Sequence, residues 1–438
     1  MLKSLDTLGT QALNCIFNYC LSKGIYPWNK SVITPIHKSG DINNPDNYRA
    51  IAVSSCLGKT FSSILLNRLI NFRNNHCSDP PNQLGFCKGA QTNDHVLTLK
   101  TIIEKYRKPG KSNIFACFVD FKKAFDSIRR DLLLSKIANL CINGAFFLVI
   151  KNMYEKSTAK IKINNLLSDS FNIDKGTEQG HPMSPELFKM FIRDLSSALT
   201  CTGKYPLLLD AIINHLLWAD DLILLAIDES SLQNNLNILG NFCQRWGLTI
   251  NFKKTKVICF GKRGKHTFYV GDNKIEYVDK YCYLGFMIHK NGNINSAVKD
   301  LRDKARRALY GLKRVVNKSY MSIDALFKLF DALIKPVLLY GCQVVTPYSK
   351  TAKLLSTNDL VNDNYFKTLG TDLHELFHLR FLKWCLGVHR KSSNIGTWGD
   401  TGRYPLIINA CKLSVDYFLR IESMSNDTLI KRRSKSRN

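Results

Sequence analysis

The stretches Ile114-Phe-Ala-Cys-Phe-Val-Asp120-Phe-Lys-Lys-Ala-Phe125-Asp126 and His215-Leu-Leu-Trp-Ala-Asp220-Asp221-Leu-Ile-Leu-Leu-Ala226 decide how this chain reads. The first opens as an unbroken apolar run, the pattern of a buried strand, and the run stops at Asp120. The second is a pair of apolar runs interrupted by two aspartates, a hairpin with carboxylates at its tip. Ionised carboxylates flanked by buried strand are costly unless a cation or hydrogen bonds satisfy them. Three carboxylates at two adjacent strand ends can hold two divalent cations ~3.5–4 Å apart, the arrangement for in-line phosphoryl or nucleotidyl transfer. Hard oxygen ligands select Mg2+ or Mn2+ over zinc. The same residues also read as ordinary structure, because Asp favours turns and caps helices that follow strands. Spacing alone leaves both readings open.

Working outward, residues 1–290 read as one continuous globular unit with no internal repeat. Leu5, Leu8, Leu13, Phe17 and Leu21 give the first 30 residues a helical face. Loop chemistry between Trp28 and Ser55 precedes a helix over 57–72, with Phe61, Ile64, Leu65 and Leu69 at 3–4 spacing. Helical pattern recurs around 132–140, 146–154 and 186–199, and 159–163 alternates as a strand does. Ser230 and Ser231 can cap a helix that carries Leu232, Leu236, Leu239, Phe242 and Trp246 on one face. Short strands are expected at 256–260, 268–270 and 281–288. After Gly292 the character changes. Ile294, Val298, Leu301, Ala305, Leu309, Leu312 and Val315 trace one face of a long helix, and Lys299, Arg302, Lys304, Arg306, Arg307, Lys313 and Arg314 cover the rest. More helices are expected around 322–340, 376–388 and 405–423, and the terminal KRRSKSRN reads as a disordered basic tail.

The chain has 438 residues and a formal charge of +27, which favours a polyanionic partner over the substrates of an ordinary metabolic enzyme. Apolar content of 45% excludes a disordered chain. No apolar run reaches the ~18–20 residues of a spanning helix, so an integral membrane protein is not expected, and basic residues spread along the chain disfavour a membrane surface as the partner. The 14 cysteines include no C-x-x-C pair and read as reduced thiols of an intracellular protein, not as a zinc site or a disulfide framework.

The blocks around Asp120 and Trp218-Ala-Asp-Asp221 resemble those of reverse transcriptases of LINE-type (non-LTR) retrotransposons. The resemblance extends in order through Ile33-Thr-Pro-Ile-His-Lys38-Ser-Gly-Asp41, Asn47-Tyr-Arg49-Ala-Ile51, Gln83-Leu-Gly85-Phe86 and Thr92-Asn-Asp94. It continues with Gly176-Thr-Glu-Gln179-Gly-His-Pro-Met-Ser-Pro185, Gly247-Leu-Thr-Ile-Asn251-Phe-Lys-Lys254-Thr-Lys256 and Tyr283-Leu-Gly285. Downstream, Ile334 to Gly341, and Phe381-Leu-Lys-Trp-Cys-Leu-Gly387 through Gly402-Arg-Tyr-Pro405, are similar to elements of the jockey kind. A chance match of the ordered set is improbable, although each block alone is weak.

The resemblance implies an α+β right-hand polymerase: an N-terminal helical extension (1–27), fingers and palm (28–290), a thumb helix (291–320), a helical C-terminal region (321–430) and a basic tail (431–438). It implies an RNA-directed DNA polymerase that extends a 3′-hydroxyl with dNTPs on an RNA template by a two-metal mechanism with Mg2+ or Mn2+. Asp120, Asp220 and Asp221 would be the metal ligands, with Lys38 and Arg49 on the triphosphate. Phe125 would lie beneath the sugar and Gln179 near the templating pair or the nucleotide, and Lys254 falls in the block that supplies a proton donor to the departing pyrophosphate. Asp126 reads as a cap or hydrogen-bond partner. On the basic helix, Lys299, Arg302 and Arg306 would meet the RNA–DNA duplex, whose backbone dominates affinity. The partners implied are an RNA template, a DNA primer or target, and dNTPs, in a nuclear or ribonucleoprotein setting. Three residues depart from the family pattern: Glu178 where Arg is usual, His181 where Asp or Cys is common, and Ala50 in place of Pro. Glu178 sets an anion near a polyanionic substrate, which would lower activity. The family's upstream endonuclease has no counterpart in this sequence, so a fragment or degenerate copy is expected. The alternative is a non-catalytic nucleic-acid-binding relic of such a polymerase.

Overall fold

In the computed structural model, Ile114–Val119 is the central strand of a five-stranded sheet ordered Glu276–Tyr277, Lys256–Phe260, Ile114–Val119, Asp221–Ala226, His215–Trp218. The structure describes residues 4–76, 80–107, 113–199, 203–208, 211–261, 266–292, 295–317, 320–345, 369–424 and 431. The central strand is antiparallel to both neighbours, and every one of its residues is buried. Phe115, Cys117 and Val119 enter one core with Leu222, Leu224 and Val257, while Ile114, Ala116 and Phe118 enter another with Ile223, Leu225 and Ile258. Burial of both faces is why these strands read as continuous apolar runs. Behind the first face lie the helices Arg130–Asn139, Gly144–Glu155, Ser184–Ala198 and Glu229–Trp246; over the second lies Thr92–Tyr106. Each fully buried Leu or Phe contributes about 1.5–3 kcal/mol over its exposed state.

A second sheet runs Tyr48–Ser54, Lys30–His37, Thr158–Ile163, Leu166–Leu167, with Phe171–Asn172 also on Thr158–Ile163. Its Lys30–His37/Tyr48–Ser54 hairpin carries Lys38 and Arg49 at one end. The helix Thr7–Lys23 starts at an Asp6 cap and stops at Gly24, and buries Phe17 and Cys20 against Tyr26 and Phe61. Its expected apolar face is only half used: Leu5 and Leu8 are exposed.

Two local expectations are corrected. The cap of Glu229–Trp246 is Asp228, whose side chain accepts from Ser231 N, because Ser230 and Ser231 are already helical. The expected strand at 281–288 is a hairpin, Lys280–Tyr283 against Phe286–His289. Leu284 (φ 45°) and Gly285 (φ 82°) take the left-handed pair that a two-residue hairpin turn requires.

The basic helix Asn295–Val315 opens a helical region with its own core of Leu326, Phe330, Leu338, Phe381, Leu382 and Leu406. Glu375, fully buried, organises it: Leu406 N (2.8 Å), Trp398 Nε1 (3.3 Å) and His378 Nδ1 (2.9 Å) all donate to its carboxylate. His374-Glu375-Leu-Phe-His378 has the spacing of a helical zinc motif. Here the glutamate is consumed by the start of the helix Leu406–Ser423, so the pattern is structural. Packing runs across the change in character near 290: Val96, Phe286, Val298, Leu301, Val344, Tyr417 and Ile421 share one core. Asp94, fully buried, accepts from Arg420 and from Tyr417 Oη (2.9 Å), tying the last described helix to Thr92–Tyr106. Of the expected tail, 431–438, all but Lys431 lie outside the described residues, as does Ile294. Among the described residues no helix is long and apolar enough to cross a membrane.

Removing one partner of a buried ion pair strands the other charge. Arg420→Ala should therefore cost about 3–5 kcal/mol in denaturant unfolding; an unchanged midpoint would show that the Asp94 contact carries no stability.

Candidate active site

The ladder between the two decisive stretches pairs Leu222 with Val119, so one step further out Asp221 comes opposite Asp120. Asp220 occupies the turn just before it, after Ala219 in the left-handed region (φ 56°). The loop 247–255 closes on Asp120 from the other side. Phe121 bridges Ile250, and Lys122 N donates to Thr249 O at 2.8 Å. Asn251 donates to Asp120 twice, from its backbone N to the carbonyl (2.7 Å) and from Nδ2 to Oδ2 (2.9 Å). Lys254 Nζ stands 3.9 Å from the same Oδ2.

These carboxyls disturb one another. Burial, then the charges of Asp220 and Asp120, push Asp221 up to about 6, while Lys254 opposes the rise. Asp220 is raised by burial and by Asp120, against the pull of Arg49 and Lys38. Both cations are exposed at the end of the second sheet. Lys123 Nζ, 2.7 Å from Asp46 Oδ1, ties that hairpin's loop to the segment after Asp120. Among the described residues no group of three or more His, Cys, Asp or Glu is set to hold a metal ion. Asp120 is instead turned onto Asn251. The donor chemistry nevertheless fits a hard divalent cation: the three carboxylates offer only oxygen, and their mutual repulsion is what such a charge would relieve.

Phe125 is half-buried, its ring stacked 4.4 Å from Phe188. Gln179 Nε2 donates to Asp126 Oδ1 (2.8 Å), so Asp126 is a hydrogen-bond partner. Burial raises the Asp126 carboxyl, and Gln179 and the nearby lysines 123 and 38 counter it. The loop from Gly176 is fastened to this segment by Thr177 N to Phe125 O (2.9 Å) and Gly176 N to Ile128 O (2.8 Å). At Gly176 (φ 80°) a Cβ would stand 2.7 Å from Asp126 Cα, so only glycine fits. Arg130, buried, fixes the loop's start through Gly176 O (3.0 Å) while also holding Tyr154 O (2.7 Å). Arg130 carries no signal of this role in the sequence, and for Asn251 the signal is its place in the Gly247–Lys256 block.

The departures from the family pattern find local partners. Glu178 is raised by burial and feels the charges of Arg130 and Lys59. His181 is 5% exposed and bonds Tyr26 Oη (3.2 Å) and Ser62 Oγ (3.1 Å), facing the packing beneath the first helix. Ala50 pairs with Pro35 in the hairpin ladder. On Asn295–Val315, Lys299 and Arg306 are exposed, whereas Arg302 is half-buried, 3.1 Å from Asp303, and its charge reaches His374.

The model of the family described as reverse transcriptase (RNA-dependent DNA polymerase) matches residues 36–288. The chain is 27% identical over 359 residues to the probable RNA-directed DNA polymerase from transposon BS of Drosophila melanogaster, covering 78% of this chain and 39% of that protein. It is 24% identical over 355 residues to the RNA-directed DNA polymerase from mobile element jockey of the same organism, covering 78% and 38%. It is 27% identical over 364 residues to the Pol polyprotein from type-1 retrotransposable element R2 of Popillia japonica, covering 80% and 48%. The chain thus spans less than half the length of these curated relatives. Among solved structures, apo telomerase from Candida tropicalis aligns with a TM-score of 0.46 at 14% identity, over 97% of this chain and 73% of that one.

Burial lowers His181 and His215, both packed around this sheet, and His374, each to about 4. The unfolded chain takes up those protons near pH 6.5 and the native chain does not, so the contribution of these three rings is fully present above pH 6.5 and is lost toward pH 4, whereas the raised Asp221 carboxyl works in the opposite direction. Each histidine should cost about 1–2 kcal/mol between pH 7 and 5. Denaturant melts at the two pH values, wild type beside His215→Phe, test this: the variant should lose less stability on acidification, and an identical pH dependence would mean that the ring protonates in the folded state.

Proposed function

The chain belongs to the reverse transcriptase family, an α+β right-hand polymerase fold, and from that premise we propose that it is an RNA-directed DNA polymerase. It extends a primer 3′-hydroxyl with dNTPs on an RNA template, as part of a retrotransposon-derived protein. The observation that carries this reading is the pairing of Leu222 with Val119, which brings Asp120 and Asp221 to one sheet end with Asp220 beside them. Asp120, Asp220 and Asp221 would hold Mg2+ or Mn2+. Bound as a pair, such ions supply the charge that activates the primer hydroxyl and neutralises the departing pyrophosphate. Lys38 and Arg49 bind the triphosphate, as cations suited to phosphate oxygens do. Lys254 delivers a proton to pyrophosphate. Phe125 lies under the sugar as a gate against a 2′-hydroxyl, and Gln179, oriented by Asp126, faces the nascent pair. Residues 28–290 are the fingers and palm, 291–320 the thumb helix, and 321–430 the helical C-terminal region. Lys299 and Arg306 contact the duplex backbone; Arg302, engaged with Asp303, contributes less.

Primer extension on an RNA template with Mg2+ and dNTPs tests the assignment. Asp220→Asn and Asp120→Asn should abolish extension and leave nucleic-acid binding largely intact. Wild-type-like extension by either variant sinks the metal-ligand roles, and binding without extension by the wild type means a non-catalytic relic.

Replacing Lys299 and Arg306 together with Ala should flatten the log–log salt dependence of duplex binding by about one to two units. An unchanged slope would place the duplex elsewhere.

A further inference from the structure

The Gln83-Leu-Gly85-Phe86 block has no role in the chemistry above, yet it is built directly onto the catalytic hairpin. Leu217 N donates to Asn82 O (3.0 Å) and Leu84 N to Leu217 O (3.1 Å), adding this segment beside the outer strand of the sheet. Gly85 is buried against the turn that carries the aspartates; a Cβ there would stand 2.1 Å from Ala219 N. Its N–H donates to Gln83 Oε1 (2.9 Å), which fixes the loop from within. Phe86 follows, and it departs from ordinary behaviour twice. Its φ is +60°, a left-handed conformation that costs a bulky residue of order 1 kcal/mol or more. Its ring is 46% exposed, although an apolar core lies alongside. The ring meets Phe125 edge to face, centroids 6.1 Å apart and planes at 84°. Beyond it, Gly89 O accepts from Arg420 Nη1 at 2.5 Å, so the loop is fastened at both ends.

A strained aromatic held rigid in solvent between Asp220's turn and the proposed sugar gate is pre-organised to meet another flat or apolar group. We propose that Phe86 is a second aromatic contact of the insertion site, packing against the nucleoside of the incoming nucleotide. This rests on the polymerase reading and goes beyond it by naming a further substrate-contacting residue. Phe86 and Phe125, at right angles, form two walls of one corner: Phe125 under the sugar, Phe86 against its edge and the adjoining base. A rigid ring loses little entropy on binding, and stacking on an aromatic tolerates any base.

The test uses three variants of the full chain. Phe86→Ala removes the ring. Phe86→Gly also removes it but adopts φ +60° without strain, so it guards against a folding artefact. Phe86→Tyr keeps the ring. Steady-state extension should show KM for dNTP raised roughly 5–100-fold in the Ala and Gly variants, the range expected for loss of one stacking contact. Phe86→Tyr should stay within about twofold of wild type, and the Kd for primer–template should be unchanged in all three. A rise in Kd with KM unchanged would overturn the nucleotide assignment and move the contact to the template strand. No change in either, in variants that melt like wild type, would overturn the nucleoside contact altogether. A fluorescent base analogue in the templating position supplies a readout without turnover: addition of the complementary dNTP should change its emission with wild type and Phe86→Tyr but much less with Phe86→Gly. If the wild type shows that change yet extends no primer, the polymerase reading fails while the Phe86 contact stands.

Discussion

The rest of the molecule answers to one constraint: the antiparallel ladder between Ile114–Val119 and Asp221–Ala226, buried on both faces, brings carboxylates together at one end. Like charges at ~4 Å repel by roughly 4 kcal/mol at an effective dielectric of 20. The surroundings meet that repulsion with Asn251 on Asp120, Lys254 beside it, and Lys38 and Arg49 facing Asp220. The Lys254 ammonium is 68% exposed, so its pairing adds little stability. Its effect is on the local potential: it opposes the rise of Asp221 to about 6, which burial drives first and the charges of Asp220 and Asp120 second. A divalent cation is the species that would complete the compensation.

Three loops are pressed onto this end of the sheet, each through main-chain contacts. Residues 82–86 add to Leu217 and the aspartate turn, 176–179 bind the segment after Asp120 and the second sheet, and 247–255 close over Asp120. Backbone anchoring holds the side chains between them with little freedom, which is what positioned chemistry requires. The last described helix joins the same framework. Arg420 reaches both Asp94 and Gly89 O, so a residue over three hundred positions away braces the loop in front of the aspartate hairpin.

Much of this was legible in the residues. The apolar runs at 114–119 and 215–226 announced buried strands because both faces are covered, and Asp120 and Asp220-Asp221 marked where burial ends. Less legible was the direction in which a polar side chain turns. Glu178 looked like an anion set against a polyanionic substrate, yet the charges that bear on it are Arg130 and Lys59; His181 sits under the first helix. Arg302 belonged to a basic stripe and lies half-buried beside Asp303. His374 to His378 has metal-site spacing and serves a helix start. For Glu178, His181 and Glu375 the partner is remote in sequence, so spacing could not reveal it.

The sequence by itself determined the elements and the chemistry available at their ends, since apolar periodicity and the cost of burying charge act locally along the chain. Tertiary structure decided which of those chemical groups meet. Register made Asp120 face Asp221, a glycine with no room for a Cβ let Phe86 approach the hairpin, and a half-buried arginine tied the C-terminal helix to the front of the sheet. Those choices depend on contacts between segments tens to hundreds of residues apart, where packing and hydrogen-bond satisfaction, not local propensity, select the partner.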